Sequence, residues 1–309
     1  MYEIHRYRFG KTFSFILANR VTGERVSIIP SYGANVNDIT LRKGSILFPV
    51  IDGVATYEGL YEDKWFKGAK LTPFPNRIKD GSYYHLGRNH NLSRNYSFKH
   101  AIHGLVYNKT FRVTEKFASR ACARITMQYN STGHLGYPFH YSVTLIYSLR
   151  KDGFLCVTHI RNLDKVKIPV GDGWHPYFRL KDKIDNLSIK IPDGLLIVVS
   201  KEGIPTGRVR RYALFSTPRL IGRTKFDTTY KIKSTGKYVA TYIFDKKNDL
   251  TLQIWQKGYD YLQIFIPPAR ESIAIEPMTC APDAFNNKQG LRYLDPGETF
   301  SGEYEVRLK

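Results

Sequence analysis

Apolar and polar residues alternate with a period of two along most of this chain. Tyr141, Val143, Leu145, Tyr147 and Leu149 are apolar against polar Ser142, Thr144 and Ser148, with Ile146 the exception. That is the pattern of a strand with one face buried. Ala123, Ile125, Met127 and Tyr129 repeat it, as do Leu250, Leu252 and Ile254, then Ile273 and Ile275, and finally Tyr304, Val306 and Leu308. Turn formers separate these runs at Asp80-Gly81, Lys151-Asp152-Gly153, Lys257-Gly258 and Asp295-Pro296-Gly297. No long segment sustains a 3.6-residue period between caps, so little helix is expected. Many short strands at regular spacing predict an all-β fold, a large antiparallel β-sandwich. With no Gly/Ser linker, low-complexity tract or repeat, one domain is expected over residues 1–309.

Composition sharpens this picture in a few places. Hydrophobic residues at 42% and charged residues at 24% are those of a folded chain, and 22 Tyr with 18 Phe lean toward sheet. Lys and Arg number 47 against 27 Asp and Glu, so the formal charge is 47 − 27 = +20. Such a surplus attracts polyanions. The bases are scattered, however, which reads as a basic solvated surface, and no nucleic acid is expected as a partner. Their densest region, Arg208 to Lys233, carries Arg210, Arg211, Arg219, Arg223 and Lys225 with Asp227 its only acid. It is the first place to look for an anion.

Cys122, Cys156 and Cys280 are odd in number and widely separated, matching neither a disulfide framework nor a metal knuckle. Residues 1–20 carry no signal-peptide pattern, and no stretch approaches the ~20 apolar residues of a membrane span. A cytoplasmic soluble protein with no membrane partner, a monomer or homodimer, is therefore expected. The lack of a Gly-rich phosphate loop ahead of a helix counts against nucleotide-dependent chemistry.

Candidate chemistry concentrates where polar residues sit beside prolines and aromatics. In Gly171-Asp172-Gly173-Trp174-His175-Pro176-Tyr177-Phe178 an imidazole stands at an expected bend, with Gly171 and Gly173 read as supplying backbone angles that other residues resist. In Pro73-Phe74-Pro75-Asn76-Arg77-Ile78 a guanidinium in a stiff frame can present its planar fork to oxygen ligands, or serve an ordinary ion pair. In Ala101-Ile102-His103-Gly104-Leu105 a histidine precedes a glycine that permits close approach. In Ile273 to Asn286, Glu276 is expected to end an alternating strand that Pro277 stops, leaving a partly desolvated carboxylate. Pairing Glu276 with Asp283 or Asp227 as two glycosidase-type carboxylates stays open. A facial set of His103, His175 and Glu276 suits a metal in type, but the close ligand spacing of metal motifs is missing, so no metal is expected.

Taken together, Asn76-Arg77-Ile78, His103-Gly104-Leu105, Gly136-Tyr137-Pro138-Phe139, Gly173-Trp174-His175-Pro176-Tyr177-Phe178, Glu276-Pro277-Met278-Thr279 and Pro282-Asp283-Ala284-Phe285-Asn286 resemble, in order and spacing, the aldose 1-epimerase (galactose mutarotase) family. The resemblance implies a β-sandwich of the galactose mutarotase type, a small-molecule sugar as substrate, interconversion of its α and β anomers, and no cofactor. By the same resemblance Glu276 is the general base and His175 the general acid. Arg77, His103 and Asn76 are then sugar binders, and Asp227 is the substrate-binding aspartate. Trp174 and Tyr177 are candidates for an apolar platform under the sugar. Around the first histidine and at Phe178 the chain departs from galactose-specific members, which leaves the sugar open. A phosphorylated or acidic sugar, a non-catalytic carbohydrate-binding protein and a glycan lyase or hydrolase remain alternatives.

Overall fold

Strand Tyr137–Arg150 shows how the alternation becomes structure. Its Tyr141, Val143, Leu145, Tyr147 and Leu149 are all buried, while Ile146 is half-buried on the opposite face. The computed structural model describes residues 1–234 and 236–309. In it the strand pairs antiparallel with Cys122–His134 on one side and Gly153–Asn162 on the other. The turn at Lys151-Asp152 closes the second hairpin, with Arg150 opposite Gly153. These strands belong to a nine-stranded sheet that also contains Thr299–Leu308 and Leu250–Lys257. A six-stranded sheet and an N-terminal five-stranded sheet complete the framework, and every pairing between their strands is antiparallel. The protein is all-β. Tyr57–Glu62 and Ala284–Asn287 are its α-helices among the described residues, each under two turns long.

One continuous apolar cluster runs from Tyr2 to Leu308 and draws on all three large sheets. The five-stranded sheet packs through Tyr2–Phe9 and Thr12–Asn19 onto Arg112–Ala118 and Cys122–His134 of the nine-stranded sheet. Arg208, Arg210 and Arg211 lie exposed on Pro205–Arg211, the edge strand of the six-stranded sheet. Charge on an open edge discourages pairing with another sheet. The three cysteines are free thiols. No helix of the described residues is long and apolar enough to cross a membrane.

The six-stranded sheet carries Glu276 and Asp227. Its order places Tyr177–Phe178 beside Ile273–Met278, then Tyr261–Phe265, then Asp227–Ile232. Register sets Glu276 opposite Gln263 and Gln263 opposite Thr229, one row across three strands. The next row holds Asp227, Phe265, Ala274 and Tyr177. Paired residues in adjacent strands share a face, and so do residues two apart. Both rows therefore face the same side.

Candidate active site

His175 is held from both sides by backbone. The segment Gly173–Phe178 runs between Ala69–Lys70, where Trp174 pairs with Lys70 and His175 with Ala69, and Ile273–Met278, where Tyr177 pairs with Ala274. Amide Gly68 N donates to the His175 carbonyl at 2.9 Å, and Leu71 N to that of Gly173 at 2.9 Å. Gly171 and Gly173 have ordinary backbone angles, contrary to expectation, and are glycines because neighbours crowd them. A Cβ on Gly171 would lie 2.7 Å from Cys280 Sγ and 2.8 Å from Pro75, and one on Gly173 would lie 3.0 Å from the Pro277 carbonyl.

Parity along this segment decides which rings reach the cavity. His175 and Tyr177 point into it, and Tyr177 stacks on the imidazole at 5.0 Å. Trp174 points the other way, wholly buried and stacked on Tyr304 at 4.4 Å with 7° between planes. It is a core residue joining this segment to the nine-stranded sheet, so the expectation that it contacts sugar is corrected. Strand neighbours face opposite sides, and His175 already occupies the cavity side. The aromatic surface at the cavity comes instead from Trp65, packed 5.5 Å from Phe265, and from Phe66. None of these three stands in a motif that marks it in the sequence.

Glu276 is deeper than expected. The strand continues through Pro277, paired with Leu262, to Met278, so the carboxylate sits inside the ladder and not at its end. It is 2% exposed, and its Oε1 lies 3.5 Å from His175 Nε2. His103 faces His175 edge-on with ring centroids 4.9 Å apart. Both Asn76 and His103 adopt left-handed backbone, with φ of 57° and 63°, and His103 N donates to the Asn76 carbonyl at 3.0 Å. Such conformations in side-chain-bearing residues gather at functional sites. Gly104 follows His103 because a Cβ there would stand 2.3 Å from the Thr72 carbonyl oxygen.

Arg77 lies against the aromatic face of Tyr96, its Cζ 4.8 Å from the ring centre. Its Nη1 donates to Asn76 Oδ1 at 3.0 Å and its Nη2 to the Tyr96 hydroxyl at 3.3 Å. Among the described residues it pairs with no carboxylate, and its Nε finds no acceptor there either. Thr229 Oγ1 donates to Gln263 Oε1, and Gln263 Nε2 donates to Asp227 Oδ1 at 2.9 Å. This relay aims the Asp227 carboxylate at the cavity mouth. Asp283 plays a different part, since its Oδ1 accepts from Lys79 N at 2.8 Å and its own amide donates to the Arg77 carbonyl. It braces the arginine strand and is no partner acid for Glu276.

Burial dominates the titration of the deep groups. Desolvation pushes Glu276 well above the usual carboxylate range, with Asp227 adding to the rise and Arg77 opposing it. Desolvation likewise lowers His175 to about 3. His103 falls well below the ordinary imidazole value, through burial first and then through its neighbours His175 and Arg77. The protein by itself thus favours a neutral acid and neutral imidazoles over the ion pair expected from reference values. One proton is held between Glu276 and His175 in either distribution. Glu276 Oε2 and the Nδ1 atoms of both histidines are buried without partners among the described residues.

The donor atoms of His103, His175 and Glu276 lie within 4.8 Å of one another. Ligands ~2.1 Å from zinc stand ~3.4 Å apart, close to the 3.5 Å between His175 Nε2 and Glu276 Oε1. The spacing, with Asn76, Arg77, Asp227 and Gln263 beside it, suits a ligand bearing several hydroxyls. Of the expected site residues the structure thus gathers Asn76, Arg77, His103, His175, Asp227 and Glu276 around one cavity, and Trp174 stands outside it.

The family model for aldose 1-epimerase matches residues 17–307. The chain is 29% identical over 240 residues to the uncharacterized Escherichia coli protein YihR, covering 75% of each. It is 22% identical over 304 residues to the uncharacterized E. coli protein YphB, covering 87% of this chain and 98% of that one. A galactose mutarotase-like protein from Clostridium acetobutylicum superposes with a TM-score of 0.88 at 19% identity, over 100% of this chain and 98% of the other. Galactose 1-epimerase from Lactobacillus acidophilus does so at 0.82 and 16%, over the same shares. The large antiparallel sandwich is therefore of the galactose mutarotase type, and the chain belongs to the aldose 1-epimerase family.

Proposed function

We propose that this protein interconverts the α and β anomers of a free aldose by opening and reclosing its ring. The contact between His175 Nε2 and Glu276 Oε1, at the desolvated end of a cavity lined by hydroxyl-reading side chains, carries the reading.

Ring opening requires removal of the proton on the C1 hydroxyl and delivery of one to the ring oxygen O5. Sugar hydroxyls donating to Glu276 favour its ionised form, so the shared proton moves from its carboxyl to His175. The carboxylate then takes the O1 proton, the O1–H electrons form the C1 carbonyl, the C1–O5 bond breaks, and O5 receives the proton of His175. Rotation about C1–C2 and closure with the proton roles exchanged give the other anomer. Nothing is oxidised or reduced. Neutral His103 and the guanidinium of Arg77 hold the oxygens, Asp227 and Asn76 read further hydroxyls, and Trp65 with Phe265 covers an apolar face of the ring.

Polarimetry of freshly dissolved α-glucose and α-galactose tests this directly. Mutarotation faster with protein than without it is the expected result. Binding of these sugars with no acceleration would identify a carbohydrate-binding protein instead and overturn the proposal.

A further inference from the structure

His103, His175 and Glu276 come from three distant stretches of chain, and no metal motif joins them in sequence. In the fold their donor atoms converge within 4.8 Å. Among the described residues no other three His, Cys, Asp or Glu side chains do so. Two imidazole nitrogens with one carboxylate oxygen are the ligand set of one class of zinc site, which keeps a fourth position open.

Both rings are backed by aromatic side chains. Tyr177 stacks on His175 at 5.0 Å, Phe66 packs 4.7 Å from His103, and the two imidazoles stand edge to face at 79°. Nδ1 of each is buried in the protein with no partner among the described residues, which leaves Nε2 as the atom turned to the cavity. His175 Nε2 already stands 3.5 Å from Glu276 Oε1, close to the spacing of two ligands on one zinc ion. Bringing His103 to the same distance takes a small side-chain rotation.

Size and charge admit an ion and limit how tightly it is held. The cavity around these residues measures about 100 Å³, room for an ion with two waters at ~30 Å³ each. Its wall carries Glu276 and Asp227 against Arg77 and Lys64, so the fixed charges balance and the attraction must come from the coordinate bonds. Neither Nδ1 has an acceptor that would orient its ring, a support whose loss costs metal sites about 10–100-fold in affinity. A weak, reversible hold follows.

We infer that His103, His175 and Glu276 form an inhibitory site for Zn²⁺ or a similar borderline divalent ion, which competes with sugar. The bound ion occupies the imidazole lone pairs and the carboxylate oxygen that proton transfer needs, so turnover stops while the fold stays. Binding stands on the donor set alone. Inhibition rests on the anomer-exchange reading, and the test separates the two.

Calorimetry on chelator-treated protein measures Zn²⁺, Mg²⁺ and Ca²⁺ independently of turnover. One equivalent of Zn²⁺ is expected to bind with a micromolar constant, while the two hard ions, which prefer oxygen ligands, should not bind detectably. His103→Ala, His175→Asn and Glu276→Gln should each weaken Zn²⁺ at least about tenfold, with circular dichroism confirming the fold of each variant. His5→Asn, which removes an exposed imidazole paired with Glu3, should leave the constant in place. In polarimetry Zn²⁺ should abolish accelerated mutarotation, EDTA should restore it, and more sugar should raise the Zn²⁺ required. Absence of Zn²⁺ binding, or binding that survives all three substitutions, overturns the site. Zn²⁺ bound as described with the mutarotation rate unchanged overturns the inhibition. Zn²⁺ bound as described by a protein that accelerates no sugar's mutarotation leaves the metal site standing and removes the anomerase, and its inhibition with it.

Discussion

The Lys70 ammonium and the Asp172 carboxylate meet at 2.5 Å with neither side chain exposed to solvent. Asp172 also accepts from Thr72 Oγ1 and from the Tyr259 hydroxyl, the latter at 2.8 Å, and its backbone exchanges bonds with Thr279. The cluster thus clamps the His175 segment to the Glu276 strand from beneath. Removing one partner leaves a buried charge uncompensated, at a cost of about 3–5 kcal/mol. Lys70→Met and Asp172→Ala are each expected to lose that much in denaturant unfolding. Losses under about 1 kcal/mol, the level of exposed pairs, would show that the clamp is not needed.

Glu276→Gln and His175→Asn should each reduce turnover at least about a hundredfold, the scale of one positioned acid or base. Circular dichroism should show the fold retained, because both side chains line a cavity and not the packed core. Near-normal rates in either variant would refute its role.

Stability should respond to pH in opposite senses through these two residues. Glu276 keeps its proton in the folded state after the unfolded chain has lost it, so above the ordinary carboxyl value of 4.5 its burial costs more as pH rises. His175 stays neutral when folded, while the unfolded chain protonates below 6.5. It therefore destabilises increasingly as pH falls from 6.5 toward about 3. Denaturant titrations across pH should find Glu276→Gln more stable than the parent at neutral pH, with the gain shrinking toward pH 4.5. His175→Asn should show a shallower acid decline between 6.5 and about 3. Parallel pH curves for parent and variants would contradict both shifts.

Trp174 and Trp65 should separate binding from stability. Trp174→Ala empties a core position stacked on Tyr304 and is expected to cost about 3–5 kcal/mol. Trp65→Ala lies at the cavity mouth and should raise KM about tenfold with little change in unfolding midpoint. Equal effects on both quantities in the two variants would reverse the assignment of platform and core.

Alternation in segments such as Tyr141–Leu149 and Tyr304–Leu308 is enough to predict strands, because burial of one sheet face imposes a period of two wherever it occurs. The turns at Lys151-Asp152 and Asp295-Pro296-Gly297 are equally legible, since their residue types suit those backbone geometries. Short blocks mark His103, His175, Arg77 and Glu276, where polar side chains interrupt apolar runs beside Pro or Gly. That they face one cavity depends on register between strands distant in sequence, such as Tyr177 against Ala274, and on the row that sets Glu276 against Gln263. Only the fold decided that. It also decided that Trp174 is core while Trp65 is wall, that Asp283 braces and Asp227 faces the cavity, and that desolvation raises the Glu276 carboxyl and lowers the His175 imidazole. Position in sequence carries neither distance nor exposure, and those two quantities settle which polar side chain meets a ligand and which proton it holds.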